Sequence, residues 1–461
     1  MNIIIKNGRV IDPSQNIDRI AELVIENGRI KEIRDIDAAR SEGCGNGDET
    51  DAEGSEIEII DAAGMWVVPG LIDTHVHFRE PGLEYKETIE TGCRAAAAGG
   101  FTAVCTMPNT SPFVDSVDQV RYIRERERAA NGVKILQSAC ITLGQAGVEV
   151  TDMQSLKAEG VYGFSEDGRS VADTAVMREA MRKARELDMP VLDHTEERLL
   201  LKKAACMNES KTSTALGFEG IPAEAEELIA ARDIILAKET GCRLHLQHIS
   251  TAGSLDIIRM AKKVWKLPVT AETAPHYFAL TDESVLVEDG SEADGTYHCK
   301  GSPCGLKADT HKKMNPPLRS ESDRIAVIEA IKDGTIDTIA TDHAPHSAEE
   351  KAKPFETAPF GVVGLETSFA ISYTGLVKKG HIEPSRLIEL MSANPARILG
   401  YEGGSLKNGL PADVTIIDPD EEWTVKSEIF NSKGRNTPFE GMSVCGRVKM
   451  TIVNGKVIYK R

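Results

Sequence analysis

The sequence predicts an α/β fold: a closed (β/α)₈ TIM-like barrel with a small β-sandwich subdomain built from both chain termini. Three observations predict it. Over residues 64–402, short apolar runs alternate with amphipathic helical stretches, as a parallel sheet with crossover helices requires. The two ends, 1–63 and 403–461, are instead β-branched runs separated by turn residues. Polar residues also recur in phase, at the C-terminal ends of the apolar runs.

In chain order, NIIIKNGRVID and AELVIENGRIKEIRDI read as strands, and Asn7-Gly8 and Asn27-Gly28 suit hairpin turns. Residues 38–55, polar and rich in Gly, Asp and Glu, read as a solvated, mobile loop. The barrel strands follow as GLIDTHV, FTAVCTM, KILQSAC, VYGFS, PVLDH, RLHLQH, PVTAET and DTIATD. Helical patterns lie between them, such as ADTAVMREAMRKARELD and PAEAEELIAARDIILAKE. Eight such units favour a closed barrel over a doubly wound sheet, for which there is no glycine-rich dinucleotide fingerprint. The stretch from His276 to Asn315 is long for a barrel loop, and its tail lacks periodicity. Cys299 and Cys304 beside His298 could bind a metal, but one cysteine pair without a second is weak evidence against an ordinary loop. ADVTIIDP, EEWTV, GRVKMTIVNG and KVIYKR then read as strands with a further Asn-Gly turn, so the two ends look like halves of one β-structure.

The chain has 461 residues, 41% hydrophobic and 27% charged, which suits a soluble globular protein with a sizeable core. A formal net charge of −18 argues against a nucleic-acid partner, because phosphate binding needs a basic surface. No run approaches the roughly 18 apolar residues that span a bilayer. The start, MNIIIKNGRVIDPSQ, lacks the head and apolar core of a signal peptide. The nine cysteines, among them Cys93, Cys105, Cys140 and Cys242 in apolar segments, read as reduced and buried. Together these features predict a cytoplasmic protein acting on a small molecule, away from membranes.

His75 and His77 close the first barrel strand, Asn109 follows the second, and Asp167 follows the fourth. His194 closes the fifth, His248 the sixth, His276 lies just past the seventh, and Asp342 closes the eighth. In a parallel barrel these positions converge on the C-terminal face, where such barrels place their active sites. Scattered core histidines would have no reason to keep that phase. His75 and His77, two apart on a strand, point the same way and suit a metal.

PGLIDTHVHFREPG resembles the first-strand motif of the amidohydrolase superfamily, and TDHAPH resembles its eighth-strand motif. HVHFREPG, MPNT, KMNPPLR and PFGVVGLET are similar to bacterial dihydroorotases of the long, type I class. The resemblance runs over nearly the whole chain, the loops around 38–55 and 281–312 excepted. It implies one zinc held by His75, His77 and Asp342 and a second held by His194 and His248, two per subunit. The superfamily often bridges its metals with a carboxylated lysine; here FSEDG has none, and the resemblance implies that Asp167 would take the bridge, with Glu166 as the alternative. A hydroxide generated on zinc would attack the ring amide of dihydroorotate, with Asp342 as general base and then acid. The reverse reaction would cyclise N-carbamoyl-L-aspartate in de novo pyrimidine biosynthesis.

Dihydroorotate carries a carboxylate that dihydrouracil and hydantoin lack. Arg79, two residues beyond His77 and read as lying on the same strand face, can fork onto it. By the resemblance, Asn109 and His346 add hydrogen bonds, and Asn315 and the backbone at Phe360-Gly361 hold the ring amide edge. The resemblance also implies a homodimer and allows association with aspartate transcarbamoylase, to which no residue here points. Two rival readings are an allantoinase or a dihydropyrimidinase (hydantoinase), and a non-catalytic partner of a transcarbamoylase. The absent lysine and Arg79 argue against the first. The complete ligand set argues against the second.

Overall fold

Residues with two-sided burial form the barrel staves. Leu71–Val76 and Phe101–Thr106 are buried throughout, as strands of a parallel sheet covered on both faces must be. The computed structural model describes residues 2–35, 57–130, 132–287, 296–298 (backbone only) and 307–461. The 38–55 loop and the Cys299/Cys304 pair lie outside the described residues.

The staves follow one another in parallel register. Leu71–Val76 pairs with Phe101–Thr106, which pairs with Lys134–Ile135. The third stave resumes as Ser138–Cys140 and pairs with Gly163–Ser165. Pro190–Asp193, Arg243–Leu246, Val269–Thr273 and Thr338–Ile339 follow in turn. A bridge from His343 to Val76, with the His77 amide donating to the His343 carbonyl at 2.8 Å, joins the eighth stave to the first. The ring therefore closes, and the chain is a (β/α)₈ barrel. One apolar cluster between staves and helices joins Leu71, Phe101, Phe164, Val191 and Leu244 to Ala180, Ile234 and Ile258. Among the described residues no helix is long and apolar enough to cross a membrane.

Both termini contribute to a single eight-stranded sheet. Val414–Thr424 pairs antiparallel with Trp66–Pro69, and Asn2–Asp12 pairs parallel with the same segment. Ile3, Leu23 and Ile30 share one buried cluster with Val414, Met450 and Ile452, so the sheet folds over its own core as a small sandwich. Two Asn-Gly hairpin turns meet where its ends touch. A side chain on Gly28 would lie 2.7 Å from the Asn454 carbonyl oxygen, and one on Gly455 would lie 2.7 Å from the Gly28 Cα.

Three sequence expectations change here. Asn7-Gly8 is a bulge inside one continuous strand, with Asn7 at φ 62°, because Gly8 packs against Val67 where a Cβ would not fit. EEWTV is not a separate strand; it continues Val414–Thr424 across a register shift between Asp418 and Glu422. The described parts of the long 276–315 segment form short helical turns and three short strands, Leu286–Val287, Thr296–His298 and Lys307–Asp309, and its Val285 and Ala308 pack with Phe218 and Phe355. This satellite cluster adjoins Phe360, on the wall of the cleft described next.

Candidate metal centre and active site

At the C-terminal rim the first, second, fourth, fifth, sixth and eighth staves each end in a polar side chain that lines one cleft. Three non-glycine residues there have left-handed backbone: Arg79 at φ 61°, His248 at φ 37° and Asp342 at φ 47°. Such conformations cost about 1–3 kcal/mol each and cluster at functional sites. Arg79 therefore lies in a turn beyond the first stave rather than on the strand face the sequence reading gave it. Left-handed backbone cannot extend a strand, yet it still turns the guanidinium to the cleft wall.

The structure brings the distant histidines and aspartates to one point. His75 Nε2 lies 3.3 Å from Asp167 Oδ1 and 3.6 Å from Asp342 Oδ1. His77 Nε2 lies 3.2 Å from Asp342 Oδ1 and 3.5 Å from Asp167 Oδ2. On the other side, His194 Nδ1 and His248 Nε2 are 2.8 Å apart, at 3.5 Å and 3.7 Å from Asp167 Oδ1. Asp167 thus sits between the His75/His77/Asp342 trio and the His194/His248 pair. The adjacent Glu166 faces away, accepting hydrogen bonds from the Thr142 amide at 3.1 Å and from its hydroxyl.

These residues fit a cation. His75 with His77 and Asp342, and His75 with Asp167 and His248, form two overlapping groups whose ligand atoms lie within 4.8 Å of one another. His75 Nε2 is buried, faces two carboxylates and has no hydrogen-bond partner among the described residues. Nitrogen and carboxylate donors at four or five convergent atoms suit zinc. The electrostatics agree. Burial opposes charge on the Asp167 carboxyl, but His75, His194 and His248 hold it well below the usual carboxylate range. Burial likewise opposes charge on the Asp342 carboxyl, and His75 and His77 outweigh it, so its pKa is lowered. His194, despite burial, is raised to about 10 by Asp167 and Glu196. The carboxylates draw positive charge to this point, as protons or as metal.

A cleft of about 200 Å³ opens on these residues, and Arg79, Asn109, Asn315, Phe360 and Gly361 line its walls. Arg79 is half-buried; its Nε donates to the Pro345 carbonyl at 3.2 Å, and among the described residues no carboxylate lies within ion-pairing distance of it. The Asn109 amide is spent on two of these residues, with Oδ1 2.9 Å from His77 Nδ1 and Nδ2 donating to Asp167 Oδ2 at 2.9 Å. Asn315 donates to Glu196 Oε1 at 2.8 Å. Gly361 donates to the Lys313 carbonyl at 3.0 Å and accepts from Asn436 at 3.0 Å, so its backbone offers a ligand only a second carbonyl lone pair.

His346 does not line the cleft. It stands behind the wall, its Nε2 donating to the Phe360 carbonyl at 2.8 Å, with Arg79 and Lys86 beside it. Burial and those cations push its pKa far below the ordinary histidine value, so the ring is neutral. His276 is buried, and burial lowers it to about 4. Sequence reasoning missed Glu272, whose Oε1 accepts from His75 Nδ1 at 2.9 Å, and Glu196, 3.9 Å from His194 Nε2. Glu272 was detectable as an acid in phase within the apolar stave VTAET. Glu196 follows His194 by two residues.

The chain resembles known proteins along its length. A family model described as "Dihydro-orotase-like" matches residues 64–254. The chain is 44% identical to the dihydroorotase of Pelobacter propionicus over 462 residues, covering 100% of both chains. It is 45% identical to that of Clostridioides difficile over 458 residues, 99% of each. It is 46% identical to that of Geotalea daltonii over 461 residues, 100% of each. In fold it is similar to the L-hydantoinase of Arthrobacter aurescens, with a TM-score of 0.80 at 24% identity over 99% of this chain and 96% of that one. It is also similar to the dihydropyrimidinase of Brevibacillus agri NCHU1002, at 0.81 and 22% over 100% and 95%. The structural neighbours share the barrel and its β subdomain, whereas the full-length sequence identity is to dihydroorotases. Taken with the histidines and aspartates gathered at the barrel rim, that identity means the chain belongs to the dihydroorotase family.

Proposed function

We propose that this chain interconverts N-carbamoyl-L-aspartate and dihydroorotate, using two zinc ions, in the cytoplasmic synthesis of pyrimidines. The observation that carries the substrate reading is Arg79, a half-buried guanidinium on the cleft wall with no carboxylate within ion-pairing distance among the described residues. A partly desolvated cation left without a paired anion is costly unless the ligand supplies one. Dihydroorotate has that carboxylate, and neutral cyclic amides do not.

His75, His77 and Asp342 would hold one ion, His194 and His248 the other, with Asp167 between them. Bound zinc supplies a water acidic enough to ionise near neutrality and an acid that polarises a carbonyl. The chain does the rest. Asp342, left ionised by the histidines around it, takes the proton of the attacking water and delivers it to the leaving ring nitrogen. Cyclisation reverses the transfer. Arg79 fixes the substrate carboxylate, and Asn109, hydrogen-bonded to both His77 and Asp167, keeps their spacing while presenting its edge to the cleft. Asn315 and the Phe360-Gly361 backbone face the ring amide from the opposite wall, and His346 supports that wall through Phe360.

We further assign the chemistry to residues 64–402, with 1–63 and 403–461 bracing the barrel, and we read the working unit as a homodimer that could associate with aspartate transcarbamoylase. Sedimentation velocity of the purified chain, alone and with the transcarbamoylase, tests the assembly. The activity is tested by following ultraviolet absorbance of dihydroorotate beside hydantoin, dihydrouracil and allantoin. Turnover restricted to dihydroorotate supports the reading, and preferred turnover of a neutral ring overturns it.

A further inference from the structure

On the side away from the cleft, His75 is held by a carboxylate that no motif singles out. Glu272, on the seventh stave, is fully buried. Its Oε1 accepts from His75 Nδ1 at 2.9 Å. Its Oε2 accepts from His245 Nε2 at 2.9 Å and from the Thr74 hydroxyl. His245 in turn has its Nδ1 2.9 Å from Thr270 Oγ1. A buried carboxylate thus joins two imidazoles inside the barrel.

We propose that Glu272, braced by His245, is a positioning residue that fixes the tautomer of His75 so that its Nε2 lone pair faces the metal site. The inference rests on the metal reading above and concerns residues outside the ligand set.

The chemistry is specific. A carboxylate only accepts, so both imidazole nitrogens facing it must carry protons, and the proton on His75 Nδ1 leaves Nε2 free for a metal. The competing arrangement is also present. The Gln247 amide nitrogen lies 3.1 Å from the same His75 Nδ1. Were that amide the donor, Nδ1 would be the acceptor and the proton would move to Nε2, ending its use as a ligand. The ionised acceptor, with its shorter contact, decides between the two. Glutamine at position 272 could accept from only one imidazole while donating to the other, and Gln247 would then control His75.

The test is zinc affinity, which a merely space-filling role for Glu272 would not move. Full-length wild type, E272Q, E272D and H245L are stripped with a chelator and reloaded, and zinc binding is measured by competition with a chromophoric chelator and by elemental analysis. We expect E272Q to weaken binding about 10- to 100-fold, E272D to recover part of that loss, and H245L to weaken it less than E272Q. E272Q loading zinc as tightly as wild type would overturn the proposal. So would wild-type affinity in H245L, for the bracing role. If E272Q fails to fold, nitrogen NMR of histidine-labelled, zinc-loaded wild type decides: a protonated Nδ1 on His75 supports the proposal, and a protonated Nε2 overturns it. A wild-type chain that takes up no zinc would sink the metal reading and this one with it. Zinc uptake by wild type and by E272Q alike would sink this one alone.

Discussion

Asp167 Oδ2 accepts a hydrogen bond from Asn109 Nδ2 at 2.9 Å while Asp167 Oδ1 faces His75 at 3.3 Å. One carboxylate is therefore steered by an amide from the second stave's loop toward imidazoles from three other staves. Its sequence neighbour Glu166 is tied to Thr142 and takes no part. If the chain binds two zinc ions as proposed, Asp167→Ala should cost one of them and most of the activity. Glu166→Gln should leave the zinc count at the wild-type value. Elemental analysis of the two purified variants checks this, and equal zinc loss in both would reverse the assignment.

Arg79→Ala should retain zinc and lose affinity for dihydroorotate. A hydrogen-bonded charge pair is worth about 1.5–3 kcal/mol, so kcat/KM should fall by about 10- to 150-fold, chiefly through KM. The loss should be smaller for any neutral ring the enzyme turns over. Steady-state kinetics on both substrate types decide it.

Asp342→Asn keeps the size of the side chain and removes its capacity to hold a proton. A proton shuttle contributes about 10²- to 10⁴-fold, so kcat should drop by that amount, and the acid limb of the pH–rate profile should disappear. A variant that keeps an unchanged acid limb would assign the transfer to another group.

Lys351 gives a pH dependence of stability that does not involve the metal centre. It is 1% exposed, with its Nζ donating to the carbonyls of Lys313 at 3.2 Å and Pro359 at 3.0 Å. Burial, and then the neighbouring Lys313 charge, lowers its pKa to about 7. Because the unfolded chain keeps the ordinary, higher value, it binds more protons than the folded chain above pH 7. The Lys351 contribution to stability therefore rises with pH from about 7 up to the unfolded lysine pKa of about 10.4, by at most roughly 1.4 kcal/mol per unit. Lys351→Met should flatten that rise. Denaturant melts of wild type and variant at pH 7, 8 and 9 measure the difference, and parallel pH curves would contradict it.

The ligands were legible because a parallel barrel converts position along the chain into position in space. An acid or imidazole at the end of a stave must emerge at the C-terminal rim, so His75, His194, His248 and Asp342 could be placed from phase alone. Glu272 and Glu196 were harder to read, since each looks like an ordinary polar residue until a distant imidazole is seen beside it. His346 shows the opposite limit. Its motif put it near the site, but its ring bonds the Phe360 carbonyl and is not among the residues that line the cleft.

The sequence by itself determined the barrel, the order of its staves and the residue types available for zinc and for a carboxylate, because hydrophobic period and strand ends are local properties. Only the tertiary structure decided that Asp167 rather than Glu166 faces the clustered histidines, and that Arg79 forms no ion pair among the described residues. It alone showed that Asn7-Gly8 bulges instead of turning. Those outcomes depend on which groups from remote segments reach a given atom first, and hydrogen-bond geometry between staves settles that competition.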